Sequence, residues 1–259
     1  MVTVDIDANG HCVEDGTYRI PGVHSPGSRI RMSFEKPAGS KTGRLLPSGA
    51  PVDTIEVRTQ KSSVPHQIRI SAVDAANPFI FVDATTLPEP VRSSGTCDAL
   101  YLEFIESVRR VGAVLMGLAS SVENAAATRG TPKIAVVSAP SKVAEDEDSR
   151  IADVKVAAFT MGKPHSSLQM TGAVPLAVAA CVEGTIVHDI AKQAAMQSER
   201  HAPCEILASE GRRVCQVLIE HPTGEMPVNV VLDSSSAIST VVLSRTARRL
   251  FEGRVAYYA

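Results

Sequence analysis

Thr171-Gly172-Ala173-Val174-Pro175-Leu176-Ala177-Val178-Ala179-Ala180-Cys181 carries no charge and no side chain larger than leucine. A helix made of such residues is apolar on every face, so it belongs inside a protein rather than on its surface. Its alanines and glycine allow neighbours to pack closely. Pro175 fits if it lies in the first turn, and Gly184 supplies a stop. Strand patterns on both sides of this helix predict an α+β fold, a closed unit of strands wrapped around a central helix.

Upstream, Lys133 to Ser138 and Ala152 to Thr160 read as strands, separated by Glu145-Asp146-Glu147-Asp148, a solvated acidic loop. From Asp98 to Ala119, Leu100, Phe104, Ile105, Val108, Val111, Leu115 and Leu118 recur at steps of three and four, which predicts an amphipathic helix. Downstream, strands are predicted near Val214 to Glu220, Met226 to Leu232 and Ile238 to Leu243, with a hairpin turn at His221-Pro222-Thr223-Gly224. Near the start, Val2 to Asp7, Thr17 to Ile20 and Arg29 to Phe34 have strand character. A loop follows between Pro37 and Pro51, and the strand pattern resumes at Ile55 to Arg58 and Gln67 to Val73. A domain boundary is expected near residues 60–66, with 1–62 the end of one unit and 63–259 a complete second one.

With 259 residues, 44% of them apolar and 21% charged, the chain can bury a sizeable core without metal or disulfide staples. A formal net charge of -2 gives no general footprint for nucleic acid or an anionic membrane. The aromatic content of 4%, with no Trp, argues against base-stacking recognition. Cys12, Cys97, Cys181, Cys204 and Cys215 are odd in number and widely spaced, so neither a disulfide framework nor a zinc site is indicated. No apolar run reaches the length of a membrane span, and the first residues match neither a secretory nor a transit signal. The expected location is cytoplasmic.

Thr171-Gly172-Ala173 opens the central helix, where unpaired backbone N–H groups favour a carboxylate. Thr171 is placed to cap the helix or touch the anion, and Gly172 to let it come close. Lys163 and His165 precede this helix at the end of a predicted strand, positioned for a carboxylate clamp and, at His165, a proton relay. On the residues alone, the ordinary reading is a solvated turn lysine and a structural histidine. Asp74 and Asn77-Pro78 read as a turn closing a strand. Lys41-Thr42-Gly43-Arg44 is either an anion contact or an exposed basic turn. Cys181, on the apolar helix, reads as buried and inert rather than nucleophilic.

Several stretches together resemble one family. Arg19-Ile20-Pro21-Gly22-Val23, then Lys36 to Gly49, Val73-Asp74-Ala75-Ala76-Asn77-Pro78, Met161-Gly162-Lys163-Pro164-His165 and Thr171-Gly172-Ala173 occur in the order seen in PrpF proteins. Arg245 to Gly253 is similar to that family's C-terminal signature. The resemblance implies the diaminopimelate epimerase-like fold, with the end of one domain followed by a complete second. It also implies cofactor-independent isomerisation that shifts a proton and a double bond in an aconitate-like polycarboxylate such as 2-methylaconitate, in propionate metabolism. A keto-dicarboxylate tautomerase is the related alternative. In that context His165 becomes the expected catalytic residue, and Asn77, Lys163, Thr171, Gly172 and Ala173 the expected substrate-binding ones. No cofactor, metal, nucleic acid or membrane partner is implied, and a homodimer is compatible with it. The family's Gly-rich Thr-Ser-Lys and Cys-Gly-Asn motifs, which supply the Lys and Cys of proton transfer, do not occur in this sequence. A catalytically silent polycarboxylate-binding module is therefore the second expectation.

Overall fold

The computed structural model describes residues 1–59, 62–141, 151–197, 213–247, 253, 254 and 256. The acidic run 145–148, Cys204 and most of the 245–253 signature lie outside the described residues. The strands are β1 (Val2–Thr3), β2 (Ile30–Glu35), β3 (Asp53–Thr59), β4 (Ser62–Ala75), β5 (Asn77–Asp83), β6 (Lys133–Ser138), β7 (Val154–Thr160), β8 (Lys163–Pro164), β9 (Arg213–His221), β10 (Gly224–Leu232) and β11 (Ile238–Arg245). They form one eleven-stranded sheet ordered β1-β2-β11-β10-β9-β7-β6-β5-β4-β3, with β8 attached to β7. β5 with β6 and β7 with β9 are parallel, and the other pairs are antiparallel. β3 ends just before the expected boundary at 60–66 and β4 begins within it, and the two pair as a hairpin, while β2 joins β11.

The helices are α1 (Glu89–Arg92), α2 (Ala99–Leu115), α3 (Val122–Ala127), α4 (Met170–Ala180) and α5 (Ile186–Gln197). α4 is the central helix: Gly172 to Ala180 are buried, and it packs against β4 and β5 from one half of the sheet and β9, β10 and β11 from the other. Only a sheet bent around the helix can present both halves to it. Pro175 falls in the second turn rather than the first, because the helix starts at Met170. The carbonyl of Thr171 therefore has no N–H at position 175 to accept from.

β5 separates two cores. Phe79 and Phe81 face α4 with Val137, Val156 and Ile219, whereas Ile80 and Val82 face α2 with Phe104, Ile105 and Val108. α2 is capped by the Asp98 side chain, which accepts from the Leu100 N–H at 2.7 Å. Gly112 of α2 lies so close to Ile80 that an added Cβ would meet its Cδ1 at 2.1 Å. This contact fixes the helix on the strand. Cys215, buried in β9, is disulfide-bonded, contrary to the expectation drawn from cysteine spacing; Cys12, Cys97 and Cys181 are free. Among the described residues no helix is long and apolar enough to cross a membrane.

Candidate functional site

The first turn of α4 opens on a cleft of about 1430 Å³. Ser167, Leu168 and Met170 line it next to the helix, and Glu14, Asp15 and the stretch from Tyr18 to Gly27 form another wall. That wall is held by Tyr18 and Gly27, which exchange backbone hydrogen bonds at 3.1 and 3.0 Å, and by Arg29 over the Tyr18 ring at 5.0 Å. The Thr17 to Ile20 stretch forms this single bridge rather than the predicted strand. Pro21-Gly22 packs on the turn at Thr223-Gly224, so closely that a Cβ on Gly224 would lie 2.6 Å from Pro21 Cβ. Two stretches distant in sequence thus form one rim.

At the helix end, Gly172 and Ala173 donate their N–H groups to the carbonyl of Gln169 at 2.8 and 2.9 Å. Among the described residues, the N–H groups of Met170 and Thr171 have no backbone acceptor and are the open donors of the terminus. Gly172 serves packing: a Cβ there would meet the Phe79 ring at 3.1 Å and Gln169 Oε1 at 3.2 Å. Both amide atoms of Gln169 are buried without a hydrogen-bond partner. Such a group at the mouth of a helix is costly unless something else completes it.

Lys163 pairs with Thr160 across β7 and β8 and is exposed, with no ion-pair partner among the described residues. His165 is half-buried, and its backbone N–H donates to the Ala158 carbonyl at 2.8 Å. Its Nδ1 lies 2.8 Å from the Ser167 carbonyl and 3.1 Å from the Ser167 N–H. Ala158 faces the α4 core, and its cross-strand neighbour His165 shares that face. Asn77 starts β5 opposite Ala75, after Ala76 in the left-handed region at φ 59. It lies on the same strand face as Phe79, which touches Gly172. Of the expected site residues, Asn77, Lys163, His165, Thr171, Gly172 and Ala173, none lines the cleft; the residue of α4 that does is Met170. Lys41-Thr42 binds an anion of the protein itself, the buried carboxylate of Asp74.

The cleft adds two residues that sequence reasoning passed over. His221-Pro222-Thr223-Gly224 is the expected hairpin turn, but His221 is 7% exposed and lines the cleft. Arg245, the last residue of β11, lines it too. Alternation was the available signal: Val217, Ile219 and His221 share one face of β9, and Val241, Leu243 and Arg245 share one face of β11. Cys181 behaves as expected, with burial as the main cause and Asp153 as the second pushing its thiol up to about 12.

A 2-methyl-aconitate isomerase of Cupriavidus necator is 30% identical over 95% of this chain and 60% of its own length. A 3-methylitaconate isomerase of Eubacterium barkeri is 29% identical, again over 95% of this chain and 60% of its own length. The crystal structure of a methylitaconate-delta-isomerase superposes with a TM-score of 0.71 at 27% identity, covering 98% of this chain and 62% of that one. The chain thus spans about 60% of the length of these relatives. The PrpF protein family model matches residues 1–258, and the chain belongs to the PrpF family.

Proposed function

We propose that this chain provides the carboxylate-binding part of a cofactor-independent isomerase with a diaminopimelate epimerase-like fold. The substrate is an aconitate-like unsaturated tricarboxylate, 2-methylaconitate being the first candidate. The observation that carries the reading is the end of α4, where the Met170 and Thr171 N–H groups are open and Met170 lines a large cleft. A helix end of this kind favours an anion, through its unpaired donors and its dipole.

In the reaction, a base removes a proton from the carbon next to the double bond. The electron pair spreads into a dienolate whose charge reaches a carboxylate, and the proton returns at the other end of the allylic system. Thr171 and the neighbouring N–H groups hold the carboxylate that takes up this charge, with Gly172 and Ala173 forming the packed turn behind them. Lys163 adds a cation and Asn77 a polar contact at the flank. His165 carries a proton at the same end of the helix. The likeness to isomerases of methylaconitate and methylitaconate supports the reaction class. A relative named 4-oxalomesaconate tautomerase, 26% identical, keeps a keto-dicarboxylate in the substrate panel.

The test is proton NMR in D2O with cis-aconitate, trans-aconitate, 2-methylaconitate and 4-oxalomesaconate, following deuterium uptake and double-bond migration. Binding of a tricarboxylate with shifts at the Met170 and Thr171 amides is the expected result. Turnover identifies the active isomerase, and binding without turnover identifies the silent binding module. Absence of both for every acid removes the reading.

A further inference from the structure

The strand faces that bury α4 do not stop at its first turn. On β9, Val217 and Ile219 are fully buried in the α4 core, and the next residue on that face is His221. On β11, Val241 and Leu243 are buried there, and the next is Arg245. The pairing Val228 with Leu243 continues to place Met226 beside Arg245, and Met226 pairs with Ile219. An apolar lining thus changes, on two strands at the same end of the helix, into an imidazole and a guanidinium.

Neither group is fully used by the protein. Arg245 Nη1 donates to the Ser244 carbonyl at 3.0 Å, and Nη2 touches the Met226 sulfur at 3.1 Å. No carboxylate lies within ion-pair distance of Arg245 among the described residues. His221 Nδ1 lies 3.3 Å from the Thr223 N–H, which donates to it, and 3.2 Å from the Thr223 hydroxyl; with Nδ1 accepting, the proton of the neutral ring is on Nε2 as a donor. Burial first, then Arg245 and His165, hold His221 below the ordinary histidine range, so at neutral pH it donates without adding a second positive charge. A half-buried guanidinium without a counter-ion is costly, and an arriving carboxylate relieves that cost. Glu14, Asp15, Glu225 and Arg19 also line the cleft.

We propose that Arg245 and His221 form a specificity site for a second carboxylate of the substrate. The fork of Arg245 receives the two carboxylate oxygens, and His221 Nε2 donates to one of them. The site makes the chain select di- and tricarboxylates over monocarboxylates. The inference rests on the isomerase reading, which assigns the first carboxylate to the end of α4.

The experiment titrates tricarballylate, a saturated tricarboxylate, and crotonate, a monocarboxylate, into the full chain, by calorimetry and by NMR of the His221 ring and the Met170 and Thr171 amides. Tricarballylate is expected to bind at least about tenfold more tightly than crotonate and to shift the His221 ring. R245Q is expected to remove that preference and R245K to restore part of it. A folded R245Q protein with the wild-type preference, or tricarballylate binding that leaves His221 unshifted, overturns the specificity site. If R245Q does not fold, the wild-type His221 shift and R245K decide. Shifts at His221 without shifts at Met170 and Thr171 support the Arg245 site and overturn the first-carboxylate assignment. No binding of tricarballylate overturns both.

Discussion

Thr42 binds the Asp74 carboxylate twice, through its backbone N–H at 2.7 Å and its hydroxyl at 2.9 Å. Ser40 donates its hydroxyl to the same carboxylate at 2.5 Å and Lys41 its N–H at 2.8 Å. Asp74 is fully buried and sits one turn from Asn77, so a single carboxylate ties the 37–46 loop to the β4–β5 hairpin.

This arrangement makes stability depend on acid. Burial pushes the Asp74 carboxyl up, but the hydrogen bonds from Ser40, Thr42 and Lys41 outweigh it and hold it below its ordinary value of 3.8. A folded-state value below the unfolded one gives stability that is present above the unfolded value and is lost as pH falls through the folded one. Urea midpoints should therefore be insensitive to this group above about pH 5 and fall below about pH 4. Asp74→Ala should cost about 2–3 kcal/mol at pH 7 and flatten that acid decline. An unchanged midpoint in the variant would remove Asp74 from this role.

Gly172 and Phe79 set the depth at which α4 sits on β5. Gly172→Ala places a methyl 3.1 Å from two ring atoms of Phe79, closer than ordinary contact. Overpacking of this kind costs roughly 1–3 kcal/mol, against roughly 1 kcal/mol gained from helix propensity, so a net loss near 1 kcal/mol is expected. Phe79→Leu should make the same substitution less costly. A double-mutant cycle of thermal unfolding checks this, and strict additivity would show that the two residues do not press on each other.

Arg109 is 2% exposed on α2 and grips both oxygens of Glu106 at 2.8 Å. It also donates to the carbonyls of Ala125, Thr128 and Thr131 at 2.8, 3.2 and 3.4 Å. Arg109→Leu leaves the carboxylate and these carbonyls short of donors, and should cost about 3–5 kcal/mol in urea unfolding. Arg109→Lys should recover only part of the loss, since an ammonium cannot span the same fork. Wild-type stability in the lysine variant would contradict this account.

The α4 run was legible because a charge-free stretch of small residues has few places to go except the interior. α2 was legible because its apolar positions keep helical spacing. β5 was not, since Phe79-Ile80-Phe81-Val82 is buried on both faces and shows no alternation. Asn77-Pro78, read as a turn, is the first pair of that strand. α5 escaped because its buried positions include Ala191, Ala194 and Ala195, which give weak periodic contrast. At the candidate site, the central helix could be read locally, although it starts at Met170 rather than Thr171. His221 and Arg245 meet through strand register, which one-dimensional spacing does not carry.

Cys181 gives a chemical measure of how closed the α4 core is. Its thiol, pushed up to about 12, is almost entirely protonated at pH 8, whereas Cys12 and Cys97 are exposed. Iodoacetamide should label Cys12 and Cys97 at least about a hundredfold faster than Cys181, and the difference should vanish in denaturant. Mass spectrometry of timed samples measures the rates. Equal labelling in the folded protein would mean that the helix end at Cys181 opens freely.

Lys163 separates a binding role from a structural one, because it is exposed and holds no ion-pair partner among the described residues. Lys163→Ala should leave thermal stability within about 0.5 kcal/mol of wild type, as for other surface substitutions away from special features. It should weaken tricarballylate binding about fivefold to tenfold at low salt, with the loss shrinking as salt screens the exposed charge. Lys163→Arg keeps the charge and should keep most of the affinity. His165→Ala, by contrast, removes ring contacts to Ser167 just before α4, so roughly 1 kcal/mol of stability should go with it. Calorimetric titration of both variants, with thermal unfolding alongside, separates the two patterns. Equal affinity of wild type and Lys163→Ala at low salt would reduce Lys163 to a solvated turn residue and leave the anion to the helix end and Arg245.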